Sequence, residues 1–180
     1  IHWDKNHSAN YDITVKKSNT TDNTLKKDDN GKYAEYVVDV SSEKGTPDVI
    51  TLNDVLEAGK MSVDTSKFTY TITKNGQQVG GEYTANVTAS SNNDNNNHKY
   101  NLTATLPKLN AGESCQIKYK YYYDTSLCDS GNESQASNKV TGESINKKSN
   151  EKVIDTSSSV IKYTRDDLDK TGAYDSDSQT

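Results

Sequence analysis

Apolar residues are scarce in this chain: they make up 30% of its 180 residues, and the mean hydropathy is −0.99. Phenylalanine, tryptophan and methionine occur once each, proline and cysteine twice, and Arg165 is the only arginine. Each shortage excludes something. No apolar run approaches the roughly 20 residues that cross a bilayer as a helix. The charge is interspersed, with a net −5 and a pI near 5.2, and Lys16-Lys17 and Lys147-Lys148 are too short to form a basic stripe. Nucleic acid is therefore not an expected partner, because phosphate binding needs clustered lysine and arginine. The chain has no glycine-rich phosphate loop, no Gly-x-Ser-x-Gly elbow and no His-Glu-x-x-His pair, so turnover of an external substrate is not expected. His2, His7 and His98 show no ligand spacing to the cysteines, so neither a metal nor a cofactor is called for. The opening Ile1-His2-Trp3-Asp4 is no signal peptide, and the chain reads as a mature fragment of a longer protein.

What the chain does have is tyrosine, twelve of them, set among threonine, valine and isoleucine. That is the chemistry of half-exposed sheets. The low apolar content alone would suit disorder, but the alternation argues for strands. Strands are expected over 11–19, 33–40, 49–53, 68–73, 79–87, 99–106, 114–123 and 138–143, with further pieces at 153–154 and 160–163. Turn signals separate them: Asp28-Asp29-Asn30-Gly31, Lys44-Gly45-Thr46-Pro47, and Asn75-Gly76 between two strands. The fold class expected is all-β, a sandwich of about seven to ten strands. Residues 1–10 read as a lead-in, 11–164 as the domain, and 165–180 as an acidic tail.

Three of these strands carry polar residues on the wrong face. A period of two puts Lys17 with Ile13 and Val15, Asp54 with Ile50, Leu52 and Leu56, and Asn138 with Val140. A β-bulge would exchange Lys17 for Lys16. Each alone has an ordinary reading as a solvated strand residue, a cap or a turn. Together, buried, they can react. Desolvation favours the neutral amine and the protonated acid, and a neutral amine can attack an asparagine carbonyl polarised by that acid. Loss of ammonia would leave a Lys17–Asn138 isopeptide bond, with Asp54 as proton shuttle.

The lysine on an early strand, the acid within Ile50-Thr51-Leu52-Asn53-Asp54-Val55-Leu56 and the late Asn138-Lys139-Val140-Thr141-Gly142 resemble the isopeptide-forming, immunoglobulin-like domains of Gram-positive adhesins and pilins. The resemblance covers roughly residues 11–145. It implies an immunoglobulin-like sandwich, a structural stalk or adhesin role, and a single self-crosslinking turnover rather than enzymic activity. It also implies an extracellular, cell-wall-anchored location, through regions outside this fragment, and neighbouring domains of the same protein as partners. Two other readings stand beside it: a module binding a host protein or glycan through loops 90–98 and 124–136, and an accessory domain of a secreted carbohydrate enzyme. The consecutive Tyr121, Tyr122 and Tyr123 serve either sheet packing or, through Tyr121 and Tyr123, an aromatic patch.

Cys115 and Cys128 are either a disulfide, which a surface protein permits and which would contribute about 3 kcal/mol, or two separate thiols. Asp167-x-Asp169-x-x-Gly172 matches the start of a calcium loop but lacks its closing glutamate. The Asn/Asp-rich loop at 92–97 is a second cation candidate.

Overall fold

The computed structural model describes residues 12–145 and 152–166, and most of them are in β-strands. In chain order the strands are β1 (Asp12–Asn19), β2 (Lys26–Asp28), β3 (Gly31–Lys44), β4 (Ile50–Gly59), β5 (Ser62–Val63), β6 (Thr69–Lys74), β7 (Gln77–Val79), β8 (Ala85–Ala89), β9 (His98–Leu106), β10 (Ser114–Asp124), β11 (Glu133–Ile145) and β12 (Lys152–Thr164). A single 3-10 turn, Thr65–Lys67, precedes β6. Three strands have only two or three residues. The other nine form the expected sandwich.

One sheet has the order β1-β3-β10-β6-β7, with β2 on β3 and β5 on β10, and the other runs β12-β11-β4-β9-β8. All their ladders are antiparallel. The inner faces follow the period of two. Tyr36, Val38, Val40, Ile72, Ile117, Tyr119 and Tyr121 come from the first sheet, and Ile50, Leu52, Leu56, Leu102, Val140 and Ile161 from the second. One half of the core is thus rich in tyrosine and the other mainly aliphatic. The outer faces are mostly wet, which reconciles a folded domain with so little apolar sequence.

Two expected strands are revised. The stretch 79–87 is not one strand: β7 ends at Val79, and β8 begins at Ala85 in the opposite sheet. Gly80 and Gly81 lie between, and Gly81 has φ +79°, a left-handed turn conformation open to glycine. Conversely, the pieces at 153–154 and 160–163 belong to one continuous β12 through the serine run. The Asn75-Gly76 hairpin forms as its sequence predicts, with φ of 51° and 79° at the two turn residues.

Candidate functional site

β1 and β12 are lateral neighbours from different sheets, and what joins them is not a ladder. The amide of Val15 donates to Asp155 Oδ2 at 2.6 Å, that of Lys17 to Ser157 Oγ at 2.9 Å, and Asn19 Nδ2 to Ser159 Oγ at 2.8 Å. A period of two across 155, 157 and 159 therefore satisfies the free edge of β1 with side chains. These polar residues share a parity with buried Val153, Ile161 and Tyr163. That alternation was the signal for a continuous strand, hidden because its middle members are hydrophilic.

Docked this way, β1 turns Ile13, Val15 and Lys17 inward and leaves Lys16 exposed. Gly142 on β11 makes the approach possible. A Cβ there would stand 2.6 Å from Val15 Cγ2 and 3.3 Å from Leu52 Cδ2, so only glycine lets β1 lie so near.

Lys17 Nζ then lies 2.8 Å from Asp54 Oδ2, both side chains with no exposure at all. The Tyr119 hydroxyl contacts both the Lys17 ammonium nitrogen and Asp54 Oδ2. The Lys17 nitrogen also stands 4.3 Å from the centre of the Tyr36 ring and 4.6 Å from that of Tyr119. Tyr36 and Tyr119 stack at 5.5 Å, and Tyr121 and Phe68 meet Tyr119 at 5.6 and 6.0 Å. Inside this aromatic box, burial lowers the lysine pKa from its ordinary value, against the opposing pull of the Asp54 charge and hydrogen bond. Burial likewise holds the Tyr36 and Tyr119 hydroxyls in their neutral forms far into the alkaline range.

Asn138 is fully buried on β11. The register pairs Val140 with Asp54 and Asn138 with Leu56, so Asn138 is the diagonal neighbour of Asp54 on the same inward face. It lies beside the Tyr36 hydroxyl, which also meets the Tyr123 hydroxyl at 3.0 Å. Among the described residues neither Oδ1 nor Nδ2 of Asn138 has a hydrogen-bond partner, and neither has Asp54 Oδ1. An orphaned buried polar atom costs about 1–3 kcal/mol. Three gathered beside a buried lysine make a poor structural arrangement and a good reactive one. The fold thus brings the three sequence-predicted residues to one place. Tyr36, Tyr119 and Gly142 went unassigned in the sequence, although Tyr119 shares its parity with Ile117, Tyr121 and Tyr123.

The remaining candidates are elsewhere. Cys115 and Cys128 are both buried free thiols, so the disulfide alternative is not formed. Cys115 lies near the start of β10 and Cys128 follows its far end, and a strand of that length spans about 30 Å, far beyond the reach of a disulfide. Burial raises the Cys115 thiol pKa to about 11, which leaves it unreactive. Tyr121, Tyr122 and Tyr123 are all buried, so the aromatic patch does not exist. Tyr122, on the outer face, donates to Asp28 Oδ2 at 2.7 Å and packs on Tyr33. In the 92–97 loop the Asp94 carboxylate accepts the amides of Asn96 and Asn97, each at 2.9 Å. In the 124–136 loop, Arg165, expected to begin the tail, is buried and donates to the carbonyls of Thr125, Ser126 and Cys128. The lead-in, and the tail from Asp167 with its calcium-like stretch, lie outside the described residues.

No known family's profile matches the chain, and no curated protein matches it. Solved structures do show likeness. The collagen-binding subdomain of the Enterococcus faecalis surface protein ACE aligns over 88% of this chain and 100% of its own length, at 11% identity and a TM-score of 0.40. The collagen-binding domain of a Staphylococcus aureus adhesin covers 84% of this chain and 98% of its own, at 16% identity and a TM-score of 0.36. AvmM, which catalyses macrocyclization in alchivemycin A biosynthesis, covers 87% of this chain and 89% of its own, at 11% identity and a TM-score of 0.44. Fimbrial subunits of Escherichia coli are also among the matches. At such identity no residue role passes from these proteins to this one.

Proposed function

We propose that this domain crosslinks itself once, through an isopeptide bond between Lys17 and Asn138, and serves as a structural stalk or adhesin module of a cell-surface protein. The observation that carries the reading is the sealed cluster: a buried Lys17–Asp54 pair beside an asparagine with no hydrogen-bond partner. Lys17 hands a proton to Asp54, and its lone pair attacks Asn138 Cγ. The new Nζ–Cγ bond forms, the Cγ–Nδ2 bond breaks, and ammonia leaves with a proton returned through Asp54. No external substrate enters, so the chemistry ends with one turnover and the domain is not an enzyme.

The bond would tie the first strand to the penultimate one, so that pulling on the chain loads a covalent link instead of a seam of hydrogen bonds. Such a module belongs on the outside of a cell, in a wall-anchored Gram-positive protein whose neighbouring domains are its nearest partners. Burial of Tyr121 and Tyr123 takes away the aromatic anchor that a host protein or glycan would need, and so favours the stalk over the binder.

Intact-mass measurement tests the proposal. The purified domain is expected to weigh one ammonia less than its sequence, and Asp54→Ala to restore the full mass. A wild-type domain at full sequence mass overturns it.

A further inference from the structure

Resting on that crosslinking reading, we infer that Tyr119 is a catalytic residue: its hydroxyl relays one of the two protons that must leave Lys17 Nζ. The count follows from the chemistry. An ammonium carries three hydrogens and the isopeptide nitrogen keeps one. One of the two released protons ends on the departing ammonia and the other on Asp54. Two protons leaving one nitrogen need two acceptors or two passages through one.

The Lys17 nitrogen has two oxygen neighbours, Asp54 Oδ2 at 2.8 Å and the Tyr119 hydroxyl. The Tyr119 hydroxyl itself reaches Asp54 Oδ2, an acceptor when ionised, so the tyrosine donates there and its oxygen lone pairs face the lysine. The three groups close a ring. A proton passing from Nζ to the tyrosine oxygen, as the tyrosine proton passes to Oδ2, crosses without leaving a phenolate. That matters because burial opposes a charged Tyr119. The lysine lone pair is left for Asn138, since both N–H groups of the neutral amine are engaged by oxygens.

The rest of the box offers no such bridge. The Tyr36 hydroxyl is engaged with Tyr123, and Tyr121 presents no hydrogen bond to the lysine or the acid.

The test uses the full chain, made by chemical synthesis and held unfolded in guanidinium, with folding by dilution starting the reaction. Loss of ammonia is followed by intact mass at several deuterium fractions of the solvent. Tyr119→Phe keeps the ring and is expected to slow crosslinking by about tenfold or more. The dependence of the wild-type rate on deuterium fraction should be curved, as for two protons in flight, and that of the variant linear. A variant with the wild-type rate overturns the inference, as does a slowed variant with an unchanged deuterium dependence, since packing alone would do that. Should Tyr119→Phe not fold, 3-fluorotyrosine at position 119 keeps the hydroxyl and lowers its proton affinity. An unchanged rate there overturns the relay too. A wild-type chain that never loses ammonia overturns the crosslink itself, whereas a relay failure leaves the wild-type mass loss intact.

Discussion

The two lateral seams of the sandwich are built differently. At one, β1 of the first sheet meets β12 of the second, and side chains of Asp155, Ser157 and Ser159 take up the edge donors of Val15, Lys17 and Asn19. At the other, β7 and β8 end their sheets, and among the described residues no hydrogen bond joins them. Partly buried Phe68, Val79, Tyr83 and Val87 pack against the core instead. The first seam holds β1, a strand at the lateral edge of its sheet that pulling on the chain can peel away. The second holds strands threaded between others, which cannot peel singly. A covalent link from β1 into the second sheet would reinforce the first seam, and Lys17 on β1 meets Asp54 on β4, whose diagonal neighbour is Asn138 on β11.

The sharpest break of this contrast is Asn138→Ala. If the bond forms, its loss opens a loop of roughly 120 residues and should cost about 4–5 kcal/mol by the entropy model used for disulfides. Denaturant unfolding checks the size, and trypsin should cut the variant faster than the wild type. The size is informative, because in an uncrosslinked chain the same substitution removes two orphaned amide atoms and leaves a small cavity, two effects that oppose each other. Next in size is Gly142→Ala. Its Cβ meets Val15, pushes β1 off the second sheet, and should cost about 1–3 kcal/mol together with a slower mass loss. Adding Val15→Ala should recover much of the crosslinking rate. Failure of that rescue would show that Gly142 acts other than by making room.

The smallest pair compares the seams directly. Asp155→Ala removes the acceptor of the Val15 amide and should cost about 1–2 kcal/mol, with faster hydrogen exchange at Val15 and Lys17. Val87→Ala at the opposite seam should cost under about 1 kcal/mol and leave those amides unchanged. Equal exchange in the two variants would remove the distinction.

Much of the site was legible because strand alternation is a local property. Lys17, Asp54 and Asn138 each stood on an apolar face by parity alone, and β1, β4 and β11 formed where that parity placed them. The serine run of β12 was illegible by the same rule. Hydrophilic residues facing inward look like a loop until the strand they satisfy is known. The 79–87 stretch failed for the opposite reason, since apolar residues on both sides of a glycine pair looked like one strand and belong to two sheets. The Cys115–Cys128 alternative needed only the length of β10 to be settled.

By itself, then, the sequence determined most of the long strands, their faces and the candidate residue types, because each depends on backbone periodicity and on how little apolar side chain there is to bury. Only the tertiary structure decided that Lys17 meets Asp54 while Lys16 meets water, that Tyr119 closes the ring between them, and that Gly142 admits β1 to the site. Those are contacts between residues far apart in the chain, and proximity across a sandwich is set by strand order and packing distance, which no local pattern encodes.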